Sequence, residues 1–335
     1  MSSTHFSKSG IFLSVVICSY NRSKILLSVL ESLASQTYPK ELYEVIVIVD
    51  GSTDNTMERL REFSPGFKFK YLYQENRGAS SARNRGAREA KGEILLFLDD
   101  DIIAEKELLS EHAQHKRKEP MILLGKIGVH HASPENFLKA GVEKWSEEEF
   151  SKFEKVEYKF SFKNIYFANA SINKKLFLRL GGFDETFNSY GEEDREFALR
   201  LLKSGISPEY NSRAIGYQYY NKDFKRYCDD FLSIGAADLK LYLKHSELGP
   251  NMRFVKYFHG TKKQIFFGKI FILFPKLLSL IFYFLKLFLQ TAWKLKLKGR
   301  LFQKLQILIR EFYYLKGLLK ASGNKKNFIN LIGSI

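Results

Sequence analysis

The chain of 335 residues is 45% apolar and 27% charged, which excludes a disordered protein and leaves room for one α/β domain of about 250 residues with an appendage. Its two cysteines, Cys18 and Cys228, have no metal-ligand spacing, and so sparse a use of cysteine fits a reduced, cytosolic setting. The net charge of +16 is confined to residues 250–335, where 17 Lys and Arg face the single acid Glu311, so the first 249 residues are neutral with 36 bases and 36 acids.

Residues 1–10 are polar and read as a flexible N-terminus without the apolar core of a secretory signal. Residues 11–19 predict a strand and 23–36 an amphipathic helix; a second buried strand spans 45–49, with a helix starting near Ser52 to Asp54. Strands over 67–73 and 93–98 flank a helix over 80–90. A helix over 105–118, a strand over 121–129 and a polar, acidic stretch around 145–158 follow. Next come a strand over 165–172, a helix over 192–204, a strand over 214–220 and a helix from 222 to about 245. This alternation predicts an α/β fold, its central sheet mostly parallel and covered on both faces. In such sheets ligands bind beyond the carboxyl ends of the strands. A composition shift near residue 250 divides a domain over 11–249 from a helical tail over 250–335.

Four segments carry chemistry, and each follows a strand or opens a helix. Cys18-Ser19-Tyr20-Asn21-Arg22 joins a strand to a helix, where helix N-termini favour anions and Tyr20 can stack on a base. Asp50-Gly51-Ser52-Thr53-Asp54 places an acid at a strand end with Gly51 behind it, so the backbone can turn sharply toward a ligand; Ser52 or Asp54 can cap the next helix. Asp99-Asp100-Asp101 follows the apolar run 94–98, and three adjacent carboxylates repel unless a cation sits among them. Oxygen ligands of this kind suit Mg²⁺ or Mn²⁺ bridging to a diphosphate. Glu192-Glu193-Asp194 opens a helix, where a carboxylate can cap the turn or deprotonate an acceptor hydroxyl. Arg77, Arg83 and Arg85 are candidate phosphate partners, while His130 and His131 lack a spaced partner and read as structural or solvent-facing.

Taken in order, these segments resemble the family 2 glycosyltransferases in their type A fold, a nucleotide-sugar-binding sandwich. The match runs from Val15-Val16-Ile17-Cys18-Ser19-Tyr20-Asn21-Arg22 through EVIVIVDGSTDNT (44–56), NRGASSARNRGAREAKG (76–92) and ILLFLDDD (94–101). It continues with Asn169-Ala170-Ser171, Gly181-Gly182-Phe183-Asp184-Glu185 and the GEED segment, and covers roughly residues 11–245. The resemblance implies that Ser19, Tyr20, Asn21, Asp50 and Ser52, beside Arg22 and Gly51, hold base and ribose, with Arg77 and Arg83 lining the nucleotide pocket. It makes Asp99 and Asp101 the ends of the D-x-D motif, Asp101 the direct metal ligand and Asp100 a neighbour of the ribose. Glu193-Asp194 matches the family's Glu-Asp pair, whose Asp is the general base of an inverting single displacement. Mn²⁺ or Mg²⁺ is the implied cofactor, and a nucleoside-diphosphate sugar (a UDP-sugar favoured) the donor. The strand over 214–220 lacks the His that many relatives carry, and no Gln-x-x-Arg-Trp signature is present, which implies addition of a single sugar. A non-catalytic scaffold of the same fold and a sugar-phosphate nucleotidyltransferase are the alternatives; the second lacks its Gly-rich phosphate loop after the first strand.

Between Lys262 and Lys298 the tail is dominated by Phe, Leu and Ile. Residues 270–289 have the length of a membrane span, but Lys276 and Lys286 interrupt them and Pro275 would kink them. Read as one helix, the segment sets Lys262, Lys269, Lys276, Ser279, Gln290, Thr291, Lys294 and Lys298 on one face, the pattern of a helix lying in a membrane interface. The expectation is peripheral attachment to the cytoplasmic side of an anionic membrane, with a glycan or lipid-linked acceptor and no nucleic-acid partner.

Overall fold

The computed structural model describes residues 10–114, 122–155 and 157–333. Parts of the helix expected over 105–118 and of the strand expected over 121–129 therefore lie outside the described residues, as does most of the N-terminal segment. The chain forms two compact units, one of residues 1–133, 143–188 and 193–220, the other of 134–142, 189–192 and 221–335. The composition shift near residue 250 falls inside the second.

The first unit is built on one eight-stranded sheet: β1 (Leu13–Ser19), β2 (Tyr43–Asp50), β3 (Lys68–Gln74), β4 (Ile94–Leu98), β5 (Ile102–Ala104), β6 (Ile122–Val129), β7 (Asn169–Asn173) and β8 (Glu209–Gln218), in the order β3-β2-β1-β4-β7-β6-β8-β5. Every residue of β2 is buried, as a near-continuous apolar run requires when helices cover both faces. β3 alternates charged and aromatic residues and lies at the edge. The pairings β1/β2, β2/β3, β1/β4 and β6/β8 are parallel; β4/β7, β6/β7 and β5/β8 are antiparallel. From β1 the chain winds first toward β3 and later back to β4, so a switch point lies between β1 and β4.

Helices α1 (Ser23–Ala34), α2 (Thr56–Glu62), α3 (Ala79–Glu89), α4 (Leu108–His112), α5 (Phe137–Phe153), α6 (Lys174–Arg179) and α7 (Glu193–Lys203) accompany the sheet. Leu26, Val29, Leu30 and Leu33 of α1 share one core with alternate residues of β1 and β2. A second core consists of Phe97, Phe167, Phe177, Phe183 and Phe197, whose ring centroids lie 5.1–6.0 Å apart. That cluster absorbs part of the chain's excess of phenylalanine. The stretch around 145–158, read as polar and acidic, is largely the C-terminal part of α5. Beneath the sheet, His112 meets Ser171 Oγ at 2.7 Å and Asn169 Oδ1 at 2.9 Å, and burial pushes its imidazole down to about 4.

The second unit contains α8 (Phe224–Lys244), α9 (Lys256–His259), α10 (Lys262–Leu273), α11 (Pro275–Lys294), α12 (Arg300–Ala321) and α13 (Lys325–Gly333). Glycines let α8 and α12 touch backbone to backbone: a Cβ at Gly235 would lie 2.1 Å from Tyr314 O, and one at Gly317 2.0 Å from Leu232 O. Glu311, the tail's one acid, is buried and binds Arg253 at 2.8 Å, Lys256 at 2.7 Å and Arg310 at 2.9 Å. The single helix drawn through 262–298 is corrected here. The chain breaks at Phe274, and Pro275, with no N–H to donate, takes the first position of α11. The lysine stripe therefore does not run along one cylinder.

Candidate active site

Ser19 ends β1 with Arg22 after it, Asp50 ends β2, and Asp99-Asp100-Asp101 follow β4, so these residues gather at the carboxyl ends of neighbouring parallel strands. Ser19 Oγ donates to Asp100 Oδ2 at 2.7 Å. One Arg22 nitrogen reaches Asp100 at 2.8 Å and Asp101 at 2.7 Å. Burial, with Asp100 and Asp99 alongside, pushes the Asp101 carboxyl up to about 6 against the pull of Arg22. The Asp100 carboxyl is raised for the same first reason.

A second cation serves the other side of the site. Arg83 on α3, with 9% of its side chain exposed, holds Asp99 at 2.8 Å, Asp194 at 3.1 Å and Glu193 at 3.4 Å. Its burial works against its charge, but Asp194, Asp99 and Glu193 together keep the guanidinium protonated. Phe183, from the aromatic core, lies 5.5 Å beneath it. Asp194 Oδ2 accepts the Phe167 N–H at 2.9 Å, and burial plus the Glu193 charge push its carboxyl up to about 7 despite Arg83. Two arginines, rather than a single point, organise the carboxylates.

The loops are clamped in advance. Asn21 adopts φ 53°, its N–H donates to Ser52 Oγ at 2.9 Å, and its Oδ1 accepts the Thr53 N–H at 2.7 Å and the Asp54 N–H at 3.2 Å. Asp54 accepts the first N–H groups of both α1 and α2, from Ser23 at 3.2 Å and Thr56 at 3.1 Å, although the N-cap position of α2 is Asn55. Asp50 Oδ1 accepts Gln74 Nε2 at 2.8 Å and the Arg77 N–H at 2.9 Å, while Oδ2 accepts the Gly78 N–H at 2.9 Å. At Gly51, φ is +79° and a Cβ would lie 2.7 Å from the Asn76 backbone, which fixes this position as glycine. Tyr20 is exposed beside these loops, and the Arg77 side chain points to solvent, meeting Glu185 at 3.1 Å. Arg85 donates to Tyr73 O at 2.8 Å, away from the carboxylates.

Three contributors have no signature of their own. Gln218 ends β8 and brings Nε2 to 3.4 Å from Asp101, the Phe167 N–H anchors Asp194, and Asn84 ties α3 to Phe183 O at 2.8 Å. Only the neighbourhood of Asn84 and Arg83 within one quoted motif hints at the last.

Among the described residues no group of three or more His, Cys, Asp or Glu side chains encloses a metal position. The oxygen donors Asp99 and Asp101 nevertheless fit a hard divalent cation, because Mg²⁺ is commonly held by one or two carboxylates with the rest of its shell from phosphates and water. Beside them Glu193 Oε2 is buried without a hydrogen-bond partner, an orphaned acceptor.

The profile of Glycosyl transferase family 2 matches residues 14–181, half of the chain. The chain belongs to this family. A further profile, the N-terminal domain of galactosyltransferase, matches residues 148–224. The family 2 chain is 35% identical over 219 residues to validoxylamine A glucosyltransferase of Streptomyces hygroscopicus subsp. jinggangensis, covering 58% of this chain and 52% of that one. With chondroitin synthase of Escherichia coli it shares 31% identity over 223 residues, 58% of this chain and 32% of that one. It thus spans about half the length, or less, of these curated relatives. Mannosyltransferase PcManGT from Pyrobaculum calidifontis, in complex with GDP-Man and Mn²⁺, superposes with TM-score 0.63 at 17% identity over 94% of this chain and 88% of that one. S. aureus TarS 1-349 in complex with UDP gives 0.52 at 21% identity over 97% and 91%. These likenesses establish the type A fold.

Proposed function

We propose that this family 2 protein transfers a sugar, with inversion, from a nucleoside-diphosphate sugar to a hydroxyl of a glycan or lipid-linked acceptor. The observation that carries this reading is Asp194: a carboxylate raised to about 7, oriented by the Phe167 N–H and tied through Arg83 to Asp99. A base of that strength can take a proton from an attacking hydroxyl at neutral pH. Arg83 orients Asp194 and sets its charge, and Arg22 does the same for Asp101. Mn²⁺ or Mg²⁺, held by Asp99 and Asp101, would supply positive charge against the departing diphosphate. Ser19, Tyr20, Asn21, Asp50 and Ser52 form the base and ribose side in this scheme, Asp100 beside the ribose. The donor class agrees with structural neighbours in complex with GDP-Man and with UDP, and a UDP-sugar is the member we favour. The basic tail gives the protein its place, peripheral at the cytoplasmic side of an anionic membrane.

Asp194→Asn tests the scheme. Thermal-shift titration with UDP- and GDP-sugars plus Mn²⁺ should give the parent's donor affinity, while transfer to acceptor falls by about 10²–10⁴-fold. Loss of donor binding together with transfer would contradict the base role; full retention of transfer would remove it.

A further inference from the structure

The helix α11 has three faces rather than two. Leu278, Phe282, Leu289 and Ala292 are buried, with the Phe282 ring stacked on Phe312 of α12 at 4.2 Å and facing Phe267 of α10 at 6.3 Å. On the opposite side Leu277, Leu280, Ile281, Phe284, Leu287 and Phe288 are 44–61% exposed. At about 100° per residue these six fall within about 120° of arc, a width suited to one contact plane. Between the two apolar faces on one flank lie Lys276, Ser279, Lys286, Gln290 and Lys294. Exposed Leu273 and Phe274 at the break before α11, and Leu295 after it, extend the apolar strip along the helix axis.

We propose that this outer face docks on an anionic lipid surface with α11 lying in the membrane plane. The six apolar side chains enter the acyl boundary, and the lysines of the flank sit at the level of the lipid phosphates. Charge selects the occupant. Residues 250–335 carry 17 bases and one acid, so a second copy would bring like charges together around its rim, whereas an anionic bilayer attracts the same groups. Packing selects the orientation. α11 is the described helix long and apolar enough to span, at 20 residues. Its neighbour α12, however, places the Glu311 cluster with Arg253, Lys256 and Arg310 next to Phe312, at the depth of Phe282. A spanning α11 would draw those ions and Lys286 into hydrocarbon, which in-plane docking avoids. The inference rests on the tail and stands whether or not the chain transfers sugar.

The test uses the full chain with vesicles of phosphatidylcholine alone or mixed with phosphatidylglycerol. The parent should sediment with the mixed vesicles, not with phosphatidylcholine alone, and be released by alkaline carbonate. Leu280→Glu with Phe284→Glu should weaken binding at least ten-fold while the circular-dichroism melt stays unchanged, because both side chains face outward. Lys276→Gln with Lys294→Gln should weaken it by about five-fold per lysine, and only on anionic vesicles. Unchanged binding by the glutamate variant would overturn the assignment of the face, and carbonate resistance would overturn the in-plane orientation. A parent that is dimeric in sedimentation velocity, ignores vesicles and becomes monomeric in the glutamate variant would give the face to a second copy.

Discussion

Arg83 is the residue on which the candidate site's charge balance turns, and Arg83→Met isolates its role at nearly constant volume. The substitution removes ion pairs of 2.8, 3.1 and 3.4 Å to Asp99, Asp194 and Glu193 in one step. Breaking a buried pair from one side costs about 3–5 kcal/mol, since the remaining charge is stranded. The partners are not sealed off: Asp99 keeps 34% of its side-chain exposure and Asp194 23%, so water recovers part of the loss and about 3 kcal/mol is expected at pH 8. The sign of the pH dependence follows from Asp194. Its folded-state carboxyl already stands at about 7, above its unfolded value, and loss of the guanidinium raises it further. At pH 8 the variant must hold Asp194 ionised without its cation. At pH 5.5 the folded variant takes up the proton on Asp194 and the part of the penalty that comes from that pair is lost. Urea unfolding of parent and variant at both pH values reads the difference directly. Equal destabilisation at the two values would refute the coupling between Arg83 and these carboxylates.

Transfer activity should rise with pH through about 7 and then level off, because the base works only as a carboxylate and burial holds its proton on below that point; a pH–rate profile without that limb removes Asp194 from the role. Gly317→Val should cost about 3 kcal/mol in denaturant unfolding, because its Cβ would sit 2.0 Å from a backbone oxygen that cannot yield without parting α8 from α12. Lys320→Ala, on the exposed side of α12, should change it by no more than about 0.5 kcal/mol.

The parallel half of the sheet was legible because each of β1, β2 and β4 is an apolar run ending in a polar turn, and that pattern is local. β5, of three residues, is too short for any period to register, and it exists because Ile102–Ala104 pairs with β8 more than a hundred positions away. The antiparallel insertion of β7 is equally silent, since strand direction leaves no mark on alternation. The carboxylates of the site stood out by position. Arg22 and Arg83 stood out too, as donor-side residues, but their pairing with the carboxylates did not: Arg22 meets residues 78 and 79 positions distant, and Arg83 reaches across 111 to Asp194. Asp50 was read as a ligand-facing acid, and its hydrogen bonds to Gln74 and to the backbone of Arg77 and Gly78 had no local signal. The tail's stripe assumed a straight cylinder, which Pro275 forbids.

Because the Asp50 carboxylate spends both oxygens on the backbone of Arg77 and Gly78, the segment after β3 holds its shape without any visitor. A molecule entering beside it meets a finished wall instead of a strand of chain that must first be gathered in. Little ordering entropy is then lost on arrival, so discrimination among candidates rests on shape and hydrogen-bond match, and a poorly fitting one gains nothing from the wall bending to meet it.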